Sequence, residues 1–185
     1  IGEACSCTAE WSESVLLDEI WKLHPGDHVK ATLTPTPESA GDPDPSNDEI
    51  EFVIPGENYC VATPNSTGSP ARIGVVGSAS LSANELTLIS RPLPEGVGGF
   101  LIGNSQVQLP FGNGYRCVAQ SGGALLPLKR LTVQDYELRT SLDLSSPPYS
   151  TLFQPGTRWN FQAWFRDATA GGFNSSDGYT IVWTP

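Results

Sequence analysis

Between a Pro155-Gly156 turn and Asp167, apolar Trp159, Phe161, Ala163 and Phe165 alternate with polar Arg158, Asn160, Gln162 and Arg166. A period of two puts alternate side chains on opposite faces of an extended strand, so one face is apolar and the other polar. Trp164 interrupts the polar face, which predicts that part of it is covered as well. A strand this aromatic needs a second layer opposite it, and that places the chain among the all-β sandwiches.

The same reading along the chain predicts about eleven short strands. HVKATLTPT (28–36) sets Val29, Ala31 and Leu33 on one face, and EIEFVI (49–54) follows after a Pro-, Ser- and Asp-rich loop over 35–48. ARIGVVGS, NELTLIS, GFLIG, YRCVA, KRLTVQ, YELRTSLDL, RWNFQAWFRD and YTIVWT come next, each bounded by Gly, Pro, Asn or Ser. Residues 12–23 fit both helical spacing and alternation, and a strand over 15–23 is the expectation. Odd positions Ile1, Cys5, Cys7, Ala9 and Trp11 alternate with small or polar residues, a strand pattern interrupted only by Glu3. The fold class expected is an immunoglobulin-like or jelly-roll type two-sheet β-sandwich with an N-terminal strand-like arm. Residues 1–11 form the arm and 12–185 a single β-sandwich domain. At 185 residues such a domain buries a substantial core.

Four cysteines are compatible with disulfides, for which three pairings exist. Cys60 and Cys117 each come shortly after a tyrosine (Tyr59, Tyr115) in strand-like context and are assigned to each other, leaving Cys5 and Cys7 to bond each other or another chain. A zinc site is disfavoured because the spacing is not CxxC and His is nearly absent. The absence of Met predicts removal of an N-terminal segment, with Ile1 following a signal sequence or propeptide. Extracellular or cell-surface location is the expectation. No apolar run reaches the roughly 18 residues of a membrane span, and a net charge of −10 argues against nucleic acid as partner.

Chemistry is sparse. His24 and His28 are separated by Pro25-Gly26, which breaks any helix that would align them, and they read as turn residues. No GxSxG elbow or phosphate cradle is present, and twenty acidic residues single out no catalytic pair. No catalytic residue and no cofactor are expected, and the chain is not read as an enzyme. Asp42, Asp44 and Asp48 form a weak calcium candidate in a loop without EF-hand register, where a hydrated acidic loop is favoured. Asn65-Ser66-Thr67 and Asn174-Ser175-Ser176 match the N-glycosylation pattern in segments read as loops.

Tyr59-Cys60, the Asn65-Ser66-Thr67-Gly68 loop, the Leu93-Pro94-Glu95-Gly96 turn, Cys117 and Trp159–Asp167 together resemble a family of exported bacterial β domains familiar from planctomycete-type genomes. The resemblance covers residues 57–185. It implies an exported β-sandwich without an assigned reaction, and carries over no catalytic residues. The leading expectation is a structural subunit of an extracellular filament or surface assembly. In it, Ile1, Cys5, Cys7, Ala9 and Trp11 add as a strand to the sheet edge of a neighbouring copy, giving a homo-oligomeric fibre. The alternative is a carbohydrate-binding or adhesive module that stacks Trp164, Trp183, Tyr149 or Tyr179 on glycans.

Overall fold

The computed structural model describes residues 28–32, 49–121, 126–128, 130, 131–168 and 171–185. The arm residues Ile1, Cys5, Cys7, Ala9 and Trp11, the strand expected over 15–23, and Asp42, Asp44 and Asp48 lie outside them. What is described is nearly all β, as the alternation anticipates.

The first two strands, β1 (His28–Thr32) and β2 (Glu49–Val53), pair antiparallel with each other. Eleven more follow: β3 (Gly56–Tyr59), β4 (Arg72–Gly77), β5 (Leu86–Arg91), β6 (Gly96–Gly103), β7 (Ser105–Phe111), β8 (Gly114–Ala119), β9 (Leu126–Pro127), β10 (Leu131–Val133), β11 (Leu138–Leu142), β12 (Arg158–Arg166) and β13 (Phe173–Val182). A single helical turn, α1 (Tyr149–Leu152), precedes β12. One sheet runs β10-β6-β12-β13-β3, with β9 beside β10 on β6; the facing sheet runs β11-β5-β4.

The aromatic strand β12 is central, paired with β6 on one side and β13 on the other. Its apolar face, Trp159, Phe161, Ala163 and Phe165, is buried together with Phe100 and Ile102 of β6 and Tyr179 and Ile181 of β13. Against them pack Ile73 and Val75 of β4, Leu86 and Leu88 of β5, and Leu138 and Leu142 of β11. Beyond α1, Phe153 enters the same core and stacks on Trp183 at 4.5 Å between ring centroids, with Trp159 edge-on at 5.1 Å. Offset and edge-to-face rings add to the gain from burying their area.

The second face of β12 is covered too, by the β7–β8 hairpin. Gln162 accepts from the Cys117 N–H (2.9 Å) and donates to the carbonyls of Tyr115 (2.8 Å) and Ser176 (2.7 Å). Ser175 Oγ donates to the same Tyr115 carbonyl (2.8 Å), and Gln106 Nε2 donates to Asn160 Oδ1 (3.1 Å). Asn160 and Gln162 are therefore interior residues although they occupy the polar register. The side-chain oxygen and nitrogen of both residues meet a main-chain or amide partner, which keeps their desolvation from becoming a net penalty.

The Cys60–Cys117 disulfide forms, with Cα atoms 6.0 Å apart, and joins the end of β3 to β8. Tyr59 Oη donates to the Cys117 carbonyl beside it (2.9 Å). Hairpin and sheet are thus joined covalently as well as by side-chain hydrogen bonds.

The two long margins of the sandwich are closed differently. On one, the turn Gln134–Glu137 carries the chain from β10 in the first sheet to β11 in the second. On the other, the edge strands β3 and β4 meet through side chains.

Candidate functional site

Along β13, Ser176 and Asp177 lie together opposite the single residue Ala163, because the register shifts between Gln162 and Trp164. The extra residue is a β-bulge, a device that re-aims a side chain. Local hydrogen bonds hold it: Ser176 Oγ accepts from the Ala163 N–H (2.9 Å) and donates to the Asp177 carbonyl (2.6 Å). Gly178 follows at close quarters, since a Cβ there would stand 2.4 Å from Tyr59 Cζ. Only glycine lets β3 and β13 approach at this point.

The bulge directs Asp177 toward β4. Its Oδ1 accepts from the Ile73 N–H (2.8 Å) and its Oδ2 from Asn58 Nδ2 (3.0 Å). Asn58 Nδ2 also donates to the Ile73 carbonyl (2.6 Å). Both main-chain groups of Ile73 are thereby occupied by side chains that take the place of a neighbouring strand. An edge strand treated this way is a poor template for pairing with other chains.

Asp177 is 4% exposed. Burial is the main cause that pushes its carboxyl up to about 7, and the Ile73 N–H, the Arg72 guanidinium and the Asn58 amide offset only part of that. Arg72 stands 3.9 Å from Oδ2 with its side chain half exposed, beyond hydrogen-bonding reach. Burial and the neighbouring Asp177 charge together raise the Tyr59 phenol above its ordinary range.

A cavity of about 230 Å³ opens beside this carboxylate, lined by Cys60, Val61, Ala62, Pro70, Arg72 and Asp177. Its walls are apolar on the 60–62 side and carry one acid and one base on the other. Sequence reading passes over Asp177 because Phe173–Gly178 looks like a loop. The one local signal is a Ser-Ser-Asp-Gly run leading directly into an alternating strand.

The other predicted positions are dispersed. Asn65 and Asn174 are buried, 5% and 0% exposed, and their amide nitrogens donate to the carbonyls of Pro92 (2.8 Å) and Pro64 (3.2 Å). Neither is an open glycan acceptor in the folded protein, and Asn174 belongs to strand β13 instead of a loop. Of the aromatics that the carbohydrate-binding alternative would use, Trp183 and Tyr179 are core residues, whereas Trp164 and Tyr149 are half-buried. Among the described residues no group of three or more His, Cys, Asp or Glu side chains is placed to hold a metal ion. No described helix is long and apolar enough to cross a membrane.

No family model, curated protein or solved structure matches the chain.

Proposed function

We propose that the chain is a structural subunit of an extracellular assembly that polymerises by strand addition between copies. The observation that carries the proposal is how the interior polar side chains are used. Gln162, Asn160, Ser175, Ser176 and Asn58 are committed to main-chain groups of neighbouring strands. That is the work of a scaffold built to resist deformation, and the Cys60–Cys117 bridge reinforces it. A disulfide of this kind persists in oxidising surroundings, in line with an exported protein.

In this reading residues 1–11 of one copy extend a sheet of the next. Main-chain hydrogen bonds supply affinity, and Ile1, Cys5, Cys7, Ala9 and Trp11 fill the recesses on one face. A head-to-tail contact of that type does not close on itself and grows into a fibre. The test is deletion of residues 1–11, followed by electron microscopy and analytical ultracentrifugation of natively purified protein. The expected outcome is loss of assemblies, with a folded monomer that binds an 11-residue peptide carrying Cys5→Ser and Cys7→Ser. Undiminished fibres after deletion, or a monomer as the native state of the intact chain, overturns the proposal.

A further inference from the structure

The cavity beside Asp177 combines three features, and together they exceed what closing the β3–β4 margin calls for. Its floor holds a carboxylate whose side chain is 6% exposed. Each carboxylate oxygen accepts one hydrogen bond, from Ile73 or from Asn58, and an ionised oxygen has capacity for a second. Its rim holds Arg72, whose planar fork of N–H donors makes no hydrogen bond among the described residues and approaches Asp177 only to 3.9 Å. Its remaining wall is Val61, Ala62 and Pro70, all apolar.

We propose that this cavity is a binding site for a free α-amino acid with a small aliphatic side chain. An acid and a base standing side by side call for a ligand with the two opposite charges on neighbouring carbons. The ligand ammonium donates to the open positions on Asp177, and its carboxylate accepts from Arg72, so the four charges alternate in sign. The partly desolvated setting strengthens such charge-assisted contacts. An amine alone leaves Arg72 facing a like charge, and a simple carboxylic acid is repelled by Asp177. Size agrees: 230 Å³ holds roughly eight water-sized groups, about the heavy-atom count of valine, and is below the usual range for larger ligands. The inference is independent of fibre formation, because the site is complete within one copy.

The test uses the intact chain, titrated with L-valine by isothermal calorimetry and by backbone amide NMR. Isobutylamine and isovalerate serve as single-charge analogues. The expected result is saturable valine binding that shifts the amides of Val61, Arg72 and Ile73, with either analogue at least about tenfold weaker. Arg72→Gln, at a half-exposed side chain, and Ala62→Leu, which fills the cavity, each abolish the response while leaving the far-UV circular dichroism unchanged. No saturable valine binding, binding of isobutylamine as tight as that of valine, or binding that survives Arg72→Gln overturns the proposal.

Discussion

At the scale of single residues, Asp177 is the position where burial and charge are most in tension. Its carboxyl is raised to about 7 in the folded protein, chiefly by desolvation, against about 4 in an unfolded chain. The folded state therefore holds this proton more tightly, and stability declines as pH rises from about 4 to about 7. Asp143 acts oppositely: hydrogen bonds from Ser145 and Ser146 lower it to about 2, a contribution lost as pH falls through that value. Asp177→Asn keeps the shape of the protonated acid and removes the titration. The expected outcome is a variant whose urea midpoint is nearly the same at pH 5 and pH 8, whereas that of the parent falls over the interval. A midpoint in the variant that falls as steeply as in the parent assigns the pH dependence to other groups.

At the scale of elements, the β7–β8 hairpin depends on a few interior side chains. Replacing Gln162 by Leu conserves bulk but strips partners from the Cys117 N–H and the Ser176 carbonyl, both inside the protein. Leaving two such groups unsatisfied costs about 2–5 kcal/mol. Faster amide exchange across β8 than across β5 distinguishes loosening of the hairpin from uniform destabilisation. The disulfide operates on the same element: it closes a separation of 57 residues, and removing it through Cys60→Ser with Cys117→Ser is expected to cost about 4 kcal/mol by loop entropy. Chemical denaturation of the double variant checks that figure.

These elements also show where pattern reading succeeds. β12 is legible because its apolar side chains recur at every second position on the face that meets the core, although both of its faces are buried. β5 and β4 are legible for the same reason. β7 (SQVQLPF) goes unread although Val107, Leu109 and Phe111 alternate with Gln106, Gln108 and Pro110, because a proline demotes such a run, and the first half of β13 (FNSSDG) goes unread because its composition is that of a turn. Their extended form comes from tertiary partners, with the covering hairpin satisfying polar groups that local sequence alone assigns to solvent. Asn174 illustrates the consequence: a motif that reads as a surface acceptor is a fully buried strand residue. The cavity is equally hidden, since Cys60, Arg72 and Asp177 are brought together only by the pairing of β3 with β13 and the approach of β4.

At the scale of the whole molecule, the first sheet is buried on both faces over β12, and the smaller sheet closes the core from one side. The two margins are not equivalent. The β10–β11 crossing is a spine, a tight turn between two paired sheets, while at the opposite margin β3 and β4 are linked by the longer segment 60–71 and clasped by Asp177 and Asn58 on Ile73. Such a body is expected to open like a book from the clasp side, and ionisation of the buried Asp177 carboxyl favours that opening because only the open form returns the charge to water.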